Sequence, residues 1–138
     1  MILTDTGPLV AILNRNDGHH QACVAALRSL TPPMVTTWPV LTEAFYLLED
    51  AGRDAQEALI ELVTRGRIVV HHVTDPARLL ELLHKYADRP MDLADGSLVA
   101  LAEQLRLYQV FTLDSTDFNI YRAHGRRTFT LVPARPRR

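Results

Sequence analysis

Four acidic residues stand where the chain around them is apolar or where one element gives way to the next. Asp5 follows Met1-Ile2-Leu3-Thr4 and precedes Thr6-Gly7-Pro8. A short apolar run followed by Gly-Pro reads as a buried strand turning into a helix, with Pro8 near its first turn. Asp5 then sits at the C-terminal end of that strand, where open α/β sheets place their ligands. Glu43 lies in Leu41-Thr-Glu-Ala-Phe-Tyr, Asp95 in Met91-Asp-Leu-Ala-Asp-Gly-Ser-Leu, and Asp114 in Val110-Phe-Thr-Leu-Asp-Ser-Thr-Asp-Phe. Two carboxylates ~4 Å apart repel by about 4 kcal/mol at an effective dielectric of ~20. Three or four gathered at one sheet edge therefore need protons or a cation. An all-oxygen set selects Mg²⁺ or Mn²⁺ over Zn²⁺. Such an ion orients water, lowers its pKa and stabilises a phosphate transition state.

Each position also has a structural use. Asp5 suits a helix N-cap, although Thr4 and Thr6 flank it and cap equally well. Glu43 is costly to bury among Val40, Leu41, Ala44 and Phe45 unless paired, but an exposed stripe with Tyr46 and Glu49 would also hold it. Asp92 and Asp95 are three apart and share a helix side, and Asp92 near the N-terminus suits the helix dipole. Asp117 is open between capping the Phe118-Asn-Ile-Tyr turn, supporting a ligand, and ligating directly. The pairs His19-His20 and His71-His72 show no metal-binding spacing such as HExxH and read as surface or structural. Walker, GxGxxG and GxSxG signatures are missing, which leaves nucleotide-binding and acyl-transfer readings without support.

The elements that must position these residues alternate. Leu9, Val10, Ile12 and Leu13 form a short helical stripe, and residues 19–30 read as a second helix. Residues 34–37 form a strand, 38–48 a helix opened by Trp38-Pro39, and 54–64 a further helix. Residues 67–73 are expected to be a strand, although His71-His72 make it atypical. Asp75-Pro76 caps a helix through Tyr86. A helix over 92–105, a strand over 110–113, a short helix over 117–121 and a strand over 128–132 complete the pattern. Strands alternating with helices predict a parallel sheet covered on both faces.

At 138 residues with 47% hydrophobic and 22% charged content, the chain fits one domain able to bury its own core. One cysteine, Cys23, excludes an intrachain disulfide and a cysteine-rich zinc site. The N-terminus has no basic segment ahead of an apolar stretch, and no run approaches a membrane span, so a cytoplasmic protein is expected. The net charge of −1 is unevenly spread. From Arg122 onward there are 6 arginines and no acid, against 9 basic and 16 acidic residues before them. Arg122, Arg126 and Arg127 are therefore candidate RNA contacts, and residues 133–138 read as a basic C-terminal tail beyond a domain over 1–132.

With these motifs in order, the chain resembles the PIN-domain family, and within it the VapC-type toxins of prokaryotic toxin–antitoxin pairs. The resemblance runs from Ile2-Leu-Thr-Asp-Thr-Gly-Pro-Leu through Asp92-Leu-Ala-Asp-Gly-Ser-Leu to Thr112-Leu-Asp-Ser-Thr-Asp-Phe. It implies a three-layer α/β/α sandwich with a central, mostly parallel sheet, and a catalytic quartet at Asp5, Glu43, Asp95 and Asp114. Asp5, Asp95 and Asp114 would hold Mg²⁺ or Mn²⁺, with Asp117 a further candidate ligand and Asp92, Thr6 and Thr112 in support. Gly96 stands where the family more often has alanine. The implied activity is a metal-dependent endoribonuclease, and the implied partners are RNA, a small VapB-like antitoxin and a second copy of the chain. The competing readings are a PIN nuclease for RNA processing and an aspartate phospho-acceptor module. The latter wants a lysine near the end of a late strand, and the only lysine, Lys85, lies in a helical stretch.

Overall fold

The computed structural model describes residues 1–89 and 91–133. Five three-residue strands build one sheet: β1 (Ile2–Thr4), β2 (Met34–Thr36), β3 (Ile68–Val70), β4 (Gln109–Phe111) and β5 (Thr130–Val132). Their order is β3-β2-β1-β4-β5 and every pairing is parallel. The strands are rich in β-branched residues, and Ile2, Leu3, Met34, Val35, Ile68, Val110 and Phe111 are buried in the core.

The helices are α1 (Thr6–Leu13), α2 (His20–Ser29), α3 (Trp38–Leu47), α4 (Arg53–Thr64), α5 (Pro76–Lys85), α6 (Leu93–Leu105) and α7 (Ser115–Phe118). A 3₁₀ turn, Glu49–Ala51, joins α3 to α4. Aspartates start four of the seven: Asp5, Asp75, Asp92 and Asp114 each accept a backbone N–H of the helix they open. Pro39 and Pro76 lie in first turns, where a missing N–H costs nothing.

The chain steps from β1 to β2 to β3 in one direction, then crosses back to β4 and on to β5 in the other. Right-handed crossovers running in opposite directions lay their helices on opposite faces. Helix α1 packs with α2, α3 and α4, α5 packs with α6, and α3 and α6 also pack against each other, within the three-layer α/β/α sandwich. The reversal leaves a crevice between the C-terminal ends of β1 and β4, the place where such sheets bind ligands.

Several expected boundaries shift. The strand expected over 67–73 ends at Val70: His71 makes the last ladder bond, to the Thr36 carbonyl, and the chain then turns toward Gln104. The short helix expected over 117–121 runs from Ser115 to Phe118, because Asp114 and not Asp117 is its cap. The strand expected from 128 starts at Thr130, since residues 123–127 form a small turn closed by an Ala123–Arg127 bridge. Among the described residues no helix is long and apolar enough to cross a membrane. Of the tail expected over 133–138, residues 134–138 lie outside the described residues.

Candidate active site

Asp5 leaves β1 and caps α1, so its carboxylate is fixed by its place in the chain. It is buried. Oδ1 accepts the Thr6 N–H at 2.8 Å and Oδ2 accepts the Thr112 hydroxyl at 2.8 Å. Burial raises its pKa above 3.8, the two hydrogen bonds oppose the rise, and the charges of Asp114 and Asp92 add to it.

Asp114 comes after β4 with Thr112 and Leu113 between, since the strand expected over 110–113 runs from Gln109 to Phe111, and it caps α7. Its N–H donates to Thr112 Oγ1 at 2.9 Å, and its Oδ1 accepts the Asp117 N–H at 3.2 Å. Asp117 lies in the first turn of α7, where burial and the Asp114 carboxyl beside it raise its pKa and Arg89 opposes the rise. Arg89 Nη1 stands 3.9 Å from Asp117 Oδ1. Among the described residues it is the one cation within ion-pair distance of the acidic group.

Helix α6 begins at the same crevice. Asp92 is its exposed N-cap and accepts the Asp95 N–H at 2.8 Å. Asp95 sits in the first turn, half-buried. Burial, with the charges of Asp92 and Asp5, raises its carboxyl to about 7 against the 3.1 Å hydrogen bond from the Tyr121 hydroxyl. Burial and the Asp95 charge push the Tyr121 phenol well above its ordinary value, so it remains a donor. Gly96 gives α5 its close approach: a Cβ there would lie 3.0 Å from Leu79 Cδ1 and 3.2 Å from Leu83 Cδ2.

Glu43 projects from α3 and is half-buried. Burial raises its pKa, and the charges of Asp92 and Asp5 raise it further. It lines a groove between α3 and α6 with Trp38, Tyr46, Asp92 and Leu93. The two helices are joined at their starts by a buried 2.6 Å hydrogen bond between the Thr37 and Ser97 hydroxyls.

Asp5, Asp92, Asp95, Asp114 and Asp117, with Glu43 at the rim, thus act on one another's charge around one crevice. Among the described residues no three His, Cys, Asp or Glu side chains are grouped closely enough to hold an ion between them. The oxygen-only donor set, its excess negative charge and the buried Thr6 Oγ1 without a hydrogen-bond partner beside Asp5 all fit a hard cation.

The arginines expected to bind RNA, Arg122, Arg126 and Arg127, lie between α7 and β5. Arg122 Nη1 donates to the carbonyls of Asn119, Ile120 and Tyr121 at 2.7–3.0 Å, closing the turn after α7. Arg127 lies over the Tyr108 ring, 3.7 Å from its centroid. Tyr108 precedes β4, so Arg127 and its neighbour Arg126 stand at the end of β4 away from Asp114. No histidine among the described residues touches the acidic group: His20 Nδ1 bonds the Ala11 carbonyl and His124 meets the Tyr108 hydroxyl. Tyr121, Arg89 and the Thr37–Ser97 pair were missed in the sequence. Only the mixed apolar and aromatic run Phe118-Asn-Ile-Tyr hinted that Tyr121 is inward-facing.

A family model described as the PIN domain matches residues 2–123. The chain is similar to Ribonuclease VapC26 of Mycobacterium tuberculosis (strain ATCC 25618 / H37Rv), with 26% identity over 135 residues that cover 96% of this chain and 100% of the relative. Its fold is similar to that of Mycobacterium tuberculosis VapC20, a toxin that cleaves the sarcin-ricin loop, at a TM-score of 0.77 and 24% identity over 84% of this chain and 92% of the other. FitAcB from Neisseria gonorrhoeae matches at a TM-score of 0.60 and 23% identity, over 94% and 97%. Strand β5 lies beyond the residues the family model matches, yet it completes the same sheet.

Proposed function

The chain belongs to the PIN-domain family, and from that premise we propose that it is a divalent-metal-dependent endoribonuclease, the toxin of a VapBC-type pair. The observation that supports this reading is the mutual charge that Asp5, Asp95 and Asp114 exert around the crevice between β1 and β4. Similarity to a ribonuclease along nearly the whole chain supports RNA as the substrate.

Asp5, Asp95 and Asp114 would hold the ion, with Asp117 and Glu43 adding negative charge at its margins. When bound, Mg²⁺ or Mn²⁺ supplies Lewis acidity toward a phosphodiester and lowers the pKa of water. The protein's own groups prepare that chemistry. Thr112 holds the Asp5 carboxylate and the Asp114 backbone together, so two strands present their acids in one register. Asp92 starts α6 and so fixes where Asp95 stands. Burial and the neighbouring charges hold the Asp95 carboxyl at about 7, and a bound cation would favour its ionised form.

The same reading gives the protein a cytoplasmic location, a VapB-like antitoxin, a second copy of itself as partner, and residues 1–132 as the nuclease unit. Incubating the purified protein with RNA in Mg²⁺, in Mn²⁺ and in EDTA tests it, with Asp5→Asn alongside. Cleavage in either metal, lost in EDTA and in the variant, is expected. Equal cleavage in EDTA overturns the reading.

A further inference from the structure

We infer that Tyr121 is a positioning residue for the metal site, holding the Asp95 carboxylate in the orientation that presents it to a cation. This rests on the functional reading above. Four observations support it.

The Tyr121 side chain is fully buried, and its hydroxyl donates to Asp95 Oδ2 at 3.1 Å. A buried tyrosine hydroxyl needs a partner, and this one finds it in a carboxylate of the crevice. The ring is clamped by edge contacts with Tyr86 (centroids 5.0 Å apart) and Phe118 (5.2 Å). The backbone behind it is fixed as well. The Tyr121 N–H donates to the Asp117 carbonyl at 3.0 Å, and the Arg122 N–H donates to the Tyr86 hydroxyl at 2.9 Å.

The third observation is the one Arg122 supplies. Its guanidinium binds three successive carbonyls, the last being that of Tyr121 itself. An arginine engaged in this way holds the segment that aims the phenol. The fourth is the position of Asp95 in the chain. Asp5 follows β1 and Asp114 caps α7 beyond Thr112 and Leu113, and Thr112 holds both. Asp95 stands in the first turn of α6, and among the described residues its side chain has one hydrogen bond, the one from Tyr121. Tyr121 thus ties the carboxylate by one oxygen and leaves the other unbonded.

Groups that orient metal ligands typically contribute 10–100-fold to metal affinity. Mn²⁺ binding by calorimetry, on wild type, Tyr121→Phe and Asp95→Asn, reads the effect apart from turnover. Tyr121→Phe should bind Mn²⁺ on the order of 10-fold more weakly, and raising Mn²⁺ to saturation should restore most of the RNA cleavage rate. Leu59→Ala, a core truncation in α4 that leaves Tyr121 and its ring contacts in place, should lower stability and leave Mn²⁺ affinity near wild type. Should Tyr121→Phe fold poorly, 4-fluorophenylalanine in place of Tyr121 fills the same space without a donor and should show the same loss. Wild-type affinity in the folded donor-free variant overturns the role of Tyr121. Failure of the wild-type protein to bind Mn²⁺ and to cleave RNA overturns the functional reading instead.

Discussion

Thr112 donates its hydroxyl to Asp5 Oδ2 at 2.8 Å across 107 residues of sequence, joining the ends of β1 and β4. The Thr112 Oγ1 in turn accepts the Asp114 N–H at 2.9 Å. One buried side chain therefore sets two acids at once. Thr112→Val keeps the shape and leaves both partners unsatisfied. Leaving buried polar groups unpaired costs about 1–3 kcal/mol, so the urea midpoint should fall accordingly and the cleavage rate should drop by about 10-fold or more. Thr112→Ser, which keeps the hydroxyl, should retain most of both. A valine variant as stable and active as wild type would remove Thr112 from the account.

The raised carboxyl of Asp95 makes metal-free stability depend on pH. Burial, with Asp92 and Asp5 nearby, lifts it from 3.8 to about 7. Between those values the folded protein holds a proton that the unfolded chain has released, so stability falls as pH rises through this window. Asp5, also raised by burial, pulls in the same direction. A cation reverses the balance by favouring the ionised form. In EDTA, Asp95→Asn should gain melting temperature relative to wild type between pH 4 and pH 8. Mg²⁺ should raise the wild-type melting temperature more at pH 8 than at pH 5. Calorimetric scans with equal Mg²⁺ shifts at both pH values would contradict this.

Gly96 is expected to tolerate alanine. The added Cβ would press on the methyl ends of Leu79 and Leu83, at 3.0 and 3.2 Å, and touch Met91 Sδ at 3.4 Å, and both leucine side chains are half-buried and able to give. Replacing glycine inside a helix gains up to about 1 kcal/mol. Gly96→Ala should therefore leave stability unchanged or raise it by a few tenths of a kcal/mol, with cleavage intact. A loss above about 1 kcal/mol in urea unfolding would show that the leucines cannot move.

Much of this arrangement was legible in the chain. The apolar runs ahead of Asp5 and Asp114 announce strands, and a carboxylate after each lands at the C-terminal sheet edge without further information. Asp92 and Asp95 read as neighbours because helical spacing fixes them. The contacts of Tyr121 were not legible: it reaches Asp95 across 26 residues through packing against Tyr86 and Phe118, which no local pattern encodes. The place of Arg126 and Arg127 was not legible for a related reason. A turn closed by the Ala123–Arg127 bridge carries them to the end of β4 away from Asp114, where Arg127 stacks on Tyr108.

That placement has its own consequence. Arg127→Ala should leave the saturated cleavage rate within about 2-fold of wild type, at the cost of the stacking contact, worth roughly 0.5–1 kcal/mol when exposed. A large fall in the saturated rate with stability unchanged would return Arg127 to the active site.

Expression of the wild-type chain alone should arrest growth, while Asp5→Asn should not. Colony counts on inducing medium decide this. Equal growth arrest by both proteins would separate toxicity from the carboxylate site. Harmless expression of a protein that cleaves RNA when purified would favour a role in RNA processing.

A catalytic cation in the crevice between β1 and β4 would be located by anomalous diffraction from crystals soaked in MnCl₂. One strong peak is expected about 2–2.5 Å from carboxylate oxygens of Asp5, Asp95 or Asp114, absent from Asp5→Asn crystals. A crevice without a peak at saturating Mn²⁺, or a peak seated on histidines elsewhere, would contradict it.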